Sequence, residues 1–371
     1  MVAVKKPGKL RVCIDPKDLN KALKRSSYPM PTIDKILPSL AKAKVFSVLD
    51  AKDGFWQVKL DKSSKNLTTF WTTFGHYRWL RMPFGIATVS EVHQRRQHKA
   101  VEGLPGVEVI ADDILVYGCG DTTADHDRNL IRLLERARKL NLKLNRQKLR
   151  KRLSSVPYMG HLLTAEGLRP DPDKVKAILE MPNPEDVQVV QRILGFVNYL
   201  SKFLPHLSDV CKPLRRLTDK DSVWVWQSSN DKSMEQIKKL VTAQPVLRYY
   251  DVNEEVTVQC DASEKGLGAT LMQQGQPVAF ASRTLSPTEQ RYSMHRLKRK
   301  VWLLCLAVRY LISIYMEKTL SRLSLTTSHW KIFLRNLGAP KRLQRMMLQL
   351  QKYNLNMTYK KSTIIPNPSK T

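Results

Sequence analysis

The chain has 371 residues, 42% of them apolar, and its 63 Lys and Arg exceed its 33 Asp and Glu by 30. That length predicts two or three domains, and the apolar fraction excludes wholesale disorder. The charge excess points to a polyanionic partner, nucleic acid first, while a membrane-surface role lacks a polybasic amphipathic segment beside a lipidation signal.

Residues 1–40 alternate short apolar runs with basic and proline positions: Val2 and Val4, then Leu10, Val12 and Ile14, then Tyr28-Pro29-Met30-Pro31. A hairpin followed by an extended arm is predicted, since proline has no N–H to give a helix. A helix is expected over 33–40 with Thr32 as N-cap. Residues 44–49 form a β-rich run that delivers Asp50. Residues 107–117 read as a hairpin with Asp112-Asp113 at its centre. Residues 125–141 read as a helix with one stripe, Leu130, Leu133, Leu134, Ala137 and Leu140, and with Asp125 and Asp127 at its positive end. Prolines at 157, 170, 172, 182 and 184 mark subdomain edges. Helices are predicted over 187–203 and 231–241, joined through Val223-Trp224-Val225-Trp226. Strands follow over 256–260, 267–272 and 277–282, with helical patterns resuming at Lys298 and over 341–351. There is no internal repeat.

The opening MVAVKKPGKLRV lacks the apolar centre of a signal peptide, and the run 301–316 is too short to span a bilayer. Five scattered cysteines make neither a disulfide frame nor a zinc site. The expectation is an intracellular protein, cytoplasmic or nuclear, neither secreted nor membrane-bound. There is no phosphate-binding glycine loop, zinc-protease spacing or nucleophile elbow. The charge is uneven: residues 262–371 hold 19 Lys and Arg against three acids, a net +16, and no aspartate follows Asp261.

Two adjacent carboxylates in an apolar hairpin are costly to ionise unless something compensates them. Asp112 and Asp113 sit in VEVIADDILVYG with no basic residue in the run. Neighbouring strand residues point to opposite faces, so both serve one site only if the chain bends sharply between them. A divalent metal would compensate them, with Asp50 as a third ligand. A tight Asp-containing turn is the competing reading of an isolated Asp-Asp.

The surrounding segments resemble a family: the reverse transcriptases of gypsy-type long-terminal-repeat retrotransposons, followed by their RNase H-like domain. The likeness runs through GKLRVCIDPKDLNKA (8–22), YPMPTID (28–34), FSVLDAKDGFWQVKLD (46–61), TTFWTTFGHYRWLRMPFGIA (68–87) and VIADDILVYG (109–118). It continues through LKLNRQK (142–148), MGHLLTAEGLRPDPDKVKAI (159–178), LGFVNYLSKFLP (194–205) and CDASEKGLGATLMQQGQPVAFASRTLSPTEQRYS (260–293). The resemblance implies an α+β fold: a right-hand polymerase with palm, fingers and thumb, then a connection and an RNase H-like α/β domain. Fingers and palm are expected over 1–180, thumb and connection helices over 181–250, and the RNase H-like domain over 251–371.

By the same resemblance Asp50, Asp112 and Asp113 are the catalytic metal ligands for two Mg²⁺ ions, with Mn²⁺ able to substitute. Lys6 and Arg11 grip the incoming triphosphate, Phe55 crowds the sugar 2′ position and Phe84 contacts the nucleotide. Met159, Gly160 and His161 press on the primer terminus. Ordinary core packing is the competing reading of Phe55 and Phe84. The implied partners are an RNA or DNA template with primer, and dNTPs; the oligomeric state stays open.

The departures matter as well. The family's fingers start some tens of residues earlier, so an N-terminally truncated fingers subdomain with an unpaired edge is expected. His93 stands where the family has a buried Phe, and Ile110 where it has an aromatic. Asp261 matches the first RNase H metal ligand. The glutamate expected after Tyr292-Ser293 is replaced by HRLKRKVW, Ser328 stands where the third ligand belongs, and PNPSKT offers no fourth. Asp261 is thus read as vestigial and RNase H activity as lost. Two readings remain: an RNA- and DNA-directed DNA polymerase, or a non-catalytic nucleic-acid-binding remnant of a decayed retrotransposon.

Overall fold

The computed structural model describes residues 2–6, 9–25, 27–219, 222–243, 246–262, 266–284, 323–326, 348 and 355–358. They divide into two compact units, Met1–Met159 and Gly160–Thr371.

The first unit is built on a four-stranded sheet in the order Val107–Ile110, Asp113–Gly118, Val45–Asp50, Arg150–Leu153. Alternation along these strands sorts their side chains into two sets. Leu49, Val107, Val109, Ile114 and Val116 face helices Val89–Val101 and Ala124–Lys139, closing a core with Val101, Leu130 and Leu133. The opposite face carries Phe46, Val48, Leu115, Asp50 and Asp113, and Ser39 bonds Glu108 and Tyr117 on that side. Both faces are buried, which explains why these strands read as nearly continuous apolar runs.

The predicted opening hairpin is present, Val2–Lys6 against Lys9–Cys13, as a two-stranded sheet. The expected helix over 33–40 is one α turn, Ile33–Ile36, followed by a 3₁₀ turn, Leu37–Leu40. Pro38 has no N–H to offer the Asp34 carbonyl, so the α ladder stops there. Thr32 makes no side-chain cap; Lys35 N–H bonds its carbonyl instead. The helix predicted over 125–141 spans Ala124–Lys139 and buries a narrower seam, His126, Leu130, Leu133 and Ala137, leaving Leu134 and Leu140 exposed. Helix Val89–Val101 escaped sequence reading because its buried side includes His93, Gln94 and Gln97, which erase the apolar stripe.

A polar network that runs from the interior to the surface ties this unit together. Ser47 Oγ lies 2.8 Å from His126 Nε2, and His126 Nδ1 lies 3.1 Å from Asp127. Arg152 donates to both Asp127 oxygens, and its backbone N–H donates to Ser47 Oγ. The residue types are those of a hydrolase triad, but Ser47 and His126 are wholly buried, so no substrate reaches them. Their role is to pin one helix to two strands.

In the second unit a hairpin, His161–Thr164 and Gly167–Pro170, precedes helices Pro172–Leu179, Val187–Tyr199 and Ser228–Thr242. The side chains of Asp171 and Asp186 cap the first two by accepting from Asp173 and Val189 N–H. A mixed five-stranded sheet follows, ordered Gln276–Thr284, Gly266–Gln273, Val256–Ala262, Leu323–Thr326, Leu355–Thr358. The first three are the expected strands, each longer than its apolar run, and they pair as an antiparallel meander; the last two pair in parallel. The helical patterns at Lys298 and over 341–351 lie outside the described residues, apart from Leu348.

Leu133 is almost fully buried between sheet and helices. Leu133→Ala should cost about 2–5 kcal/mol, read as a lower denaturation midpoint at unchanged slope.

Candidate active site

Two of the predicted carboxylates meet by strand register. Asp50 and Asp113 are direct partners across antiparallel strands, the ends of Val45–Asp50 and Asp113–Gly118. Side chains so paired share one face, with Cβ atoms about 4.5–5.5 Å apart, and like charges there repel. Asp112 belongs to the turn. Ile110 pairs with Asp113, leaving Ala111 and Asp112 as a two-residue loop. Ala111 has φ 53° and Asp112 has no positive φ, the pattern of a type II′ hairpin turn. This is the sharp bend that lets adjacent aspartates serve one locality. Glycine is the usual residue at that first position; alanine there is strained.

Gln94 holds the strained turn. Its side-chain oxygen accepts from Ala111 N–H at 2.6 Å, and its amide nitrogen donates to the Val109 carbonyl at 2.9 Å. Ala51 N–H closes the other side by donating to the Asp112 carbonyl at 2.9 Å. Gln94 was not among the sequence candidates, and only its place in a helix facing the hairpin reveals it.

The charges are not balanced by carboxylates alone. Burial pushes the Asp113 carboxyl above its usual range, and Asp50 and Asp112 push it further; Lys148 and Arg150 pull back less strongly. Lys148 Nζ lies 2.6 Å from Asp50 Oδ2, a bond that raises the lysine's own proton affinity. His93, whose proton affinity burial lowers, places Nδ1 3.6 Å from Asp112 Oδ1, too far for a hydrogen bond.

A cleft of about 1020 Å³ opens here, lined by Asp50, Asp112, Phe55, Phe84, Arg146 and Lys148 among others. Phe55 stands between Phe84, 5.0 Å away by ring centroids, and His93, 5.2 Å away edge-on. Gly54 beside it leaves room for the site, since a Cβ would lie 2.6 Å from both Asp112 Oδ1 and His93 Nε2 and displace one of them. Arg146 and Lys148 stand in LKLNRQK, where nothing in the spacing assigns them to Asp50.

Lys6 and Arg11 lie on the opening hairpin, Arg11 opposite Val4. That hairpin runs on to the Phe84 segment: Ile14 N–H donates to the Phe84 carbonyl at 3.0 Å, and Cys13 bridges Phe84. Asn20 adds a bond to the Gly85 carbonyl and one from Ala87 N–H. Met159, Gly160 and His161 form a separate constellation. Met159 and Gly160 both take positive φ. His161 is buried, with Nδ1 3.2 Å from the Tyr199 hydroxyl, which also donates to the Gly160 carbonyl. Asp261 lies on strand Val256–Ala262 opposite Gly268; the positions expected for its partner ligands, 292–302, 328 and 366–371, lie outside the described residues.

As donors, three carboxylates suit a hard divalent ion, and the raised proton affinity of Asp113 marks a place short of positive charge. As arranged, no group of three or more His, Cys, Asp or Glu among the described residues is placed to hold a metal ion. The donor set fits; its lysine partner on Asp50 would have to yield an oxygen.

Residues 4–163 match the family model described as reverse transcriptase (RNA-dependent DNA polymerase), and residues 226–314 the RNase H-like domain found in reverse transcriptase. Among solved structures, a foamy viral protease-reverse transcriptase in complex with double-stranded DNA superposes with TM-score 0.87 at 22% identity, over 98% of this chain and 65% of that one. Another, in complex with RNA/DNA hybrid, gives 0.83 at 21% identity, covering 98% and 51%. Fold and domain order are thus those of a reverse transcriptase with an RNase H-like domain, the α+β architecture expected.

Sequence relatives narrow this. The retrovirus-related Pol polyprotein from transposon 297 of Drosophila melanogaster is 31% identical over 96% of the chain, and the Tf2-3 polyprotein of Schizosaccharomyces pombe 28% identical over 97%. Both relatives are Pol polyproteins of gypsy-like transposons, and the chain spans 34% and 28% of their length. No helix among the described residues is long and apolar enough to cross a membrane.

The site generates a pH prediction. Folded Asp113 holds its proton more readily than the unfolded chain does. Its contribution therefore favours the fold fully below the ordinary value of 3.8 and is lost as pH rises through the raised one. Asp113→Asn is neutral throughout. In metal-free buffer it should melt higher than wild type at neutral pH, the gap closing as pH falls across that window. An equal or lower melting temperature at neutral pH would contradict the like-charge opposition.

Proposed function

We propose that this chain is an RNA- and DNA-directed DNA polymerase that extends a primer with dNTPs. The observation that carries the reading is the register pairing of Asp50 with Asp113 beside the Asp112 turn, in a cleft that also holds Phe55. In the reaction the primer 3′-oxygen bonds to the α-phosphorus while the bond to the bridging oxygen breaks and pyrophosphate leaves.

Asp50, Asp112 and Asp113 are the residues that would hold divalent ions, two Mg²⁺ or Mn²⁺ in their place. Bound there, such ions lower the pKa of a hydroxyl and neutralise phosphate charge. The chain's own groups supply position. Gln94 fixes the turn, and Phe55, held against Phe84 and His93, walls the side of the cleft where a 2′-hydroxyl would clash. Lys6 and Arg11 are proposed for the triphosphate, since charge-assisted bonds to phosphate are what such side chains make best. Met159, Gly160 and His161 are proposed for the primer end. Fingers and palm would occupy 1–180, thumb and connection 181–250, and the RNase H-like domain 251–371. RNase H activity is proposed to be lost, on the residues that stand at 295–302 and at 328.

Template and primer, RNA or DNA, are the proposed partners, gripped mainly through their backbones. A second reading, a non-catalytic binding remnant, is favoured by one observation: Lys148 already neutralises Asp50.

Mg²⁺-dependent primer extension on RNA and DNA templates separates the two. Wild type should extend on both, and Asp112→Asn should lose at least about a hundredfold, the scale on which one removed electrostatic stabiliser is felt. Phe55→Ala should keep extension and raise ribonucleotide use by about tenfold or more. Tight salt-sensitive binding without extension would establish the remnant.

A further inference from the structure

The three most exposed large aromatic side chains among the described residues belong to one short hairpin. Trp71 is 76% exposed, Phe74 87% and Tyr77 51%. They lie on Phe70–Thr72 and Gly75–Tyr77 and at the turn between. Leu67 and Leu80 flank the hairpin, each 61% exposed. Single exposed apolar residues are ordinary; a cluster of this kind marks an interaction surface.

The platform is braced. Thr72 Oγ1 donates to the Gly75 carbonyl and accepts from Phe74 N–H, fixing the tip. Phe70 stacks on Tyr77 at 6.2 Å. At the base, Leu60 N–H donates to the Leu80 carbonyl and Met82 N–H to the Val58 carbonyl. Rings displayed on a rigid frame lose little freedom when something stacks on them.

Charge chooses the occupant. From Lys62 to Ser90 there is no Asp or Glu, while Lys62, Lys65, Arg78 and Arg81 are all basic. A second copy meeting this patch through a two-fold axis would set like charge against like charge. Shape agrees: Trp71 pairs with His76 and Phe70 with Tyr77, so Trp71 and Tyr77 project from opposite faces of the ribbon while Phe74 sits at its tip. A flat partner reaches one face only. A flexible polyanion with its own flat rings can wrap all three.

We propose that the hairpin 70–77 is a stacking platform for single-stranded nucleic acid, with unpaired bases on Trp71, Phe74 and Tyr77 and the backbone near Lys62 and Lys65. It is separate from the aspartate cleft and stands whether or not the chain polymerises.

The test is fluorescence anisotropy of the full chain, without nucleotides or metal, on labelled oligo(dT) and oligo(rU) of about twelve nucleotides and on a blunt duplex. The doubly substituted chain Trp71→Ala, Phe74→Ala should bind one or both single strands about tenfold or more weakly. Its duplex affinity and salt slope should not change, because no cation is removed. Loss on only one oligonucleotide identifies which strand the platform serves. Trp71→Tyr with Phe74→Tyr should restore binding, and Lys62→Gln with Lys65→Gln should flatten the salt slope. Single-strand affinities within about twofold of wild type, an equal loss on duplex, or a wild-type dimer in sedimentation that the double variant dissociates, would each overturn the proposal.

Discussion

Two carboxylates held opposite each other on neighbouring strands are the constraint around which the first unit is arranged. Asp50 and Asp113 cannot turn away, because the alternation that aims Leu49 and Ile114 into the core aims them to the other side. A one-residue slip of register would turn the acids toward Leu130 and Leu133 of the apolar core, so the fold enforces their repulsion. The neighbouring parts moderate it: Lys148 on Asp50, the reach of Arg150 and Lys148 toward Asp113, and the partial burial that keeps a proton within easier reach.

The turn that carries Asp112 stores strain of a second kind. Ala111 adopts a backbone conformation that favours glycine, and it is kept there by Gln94 and by its strand neighbours. Strain of this sort persists only where surrounding contacts over-determine it. The Ser47–His126–Asp127–Arg152 chain, buried at Ser47 and His126 and reaching the surface at Arg152, serves the same end, locking the strand that ends in Asp50 to the helix behind it. Polar residues in this interior therefore specify position, where apolar ones would have specified only burial.

Much of this was legible in the residues. Alternation of apolar and basic positions located the opening hairpin, and short apolar, β-rich runs located the strand before Asp50 and the three strands after Glu255. Proline placement marked the extended arm. The helix over Val89–Val101 was invisible for the opposite reason: its buried side makes hydrogen bonds, and polar residues carry no periodic apolar signal. The parallel strands Leu323–Thr326 and Leu355–Thr358 are short, and their pairing joins distant parts of the chain. At the site, the aspartates stood out because acids in an apolar run break a pattern. Gln94 and Lys148 break none, and they acquire meaning only through what they touch.

The junction at Gly85 has a further consequence. A Cβ there would lie 1.9 Å from the Ile14 carbonyl oxygen, and Ile14 N–H bonds the Phe84 carbonyl. The opening hairpin is thus aligned to the cleft wall by main-chain atoms, which every amino acid supplies alike. A substitution on the hairpin leaves those main-chain bonds available, whereas any side chain at residue 85 would force the two segments apart.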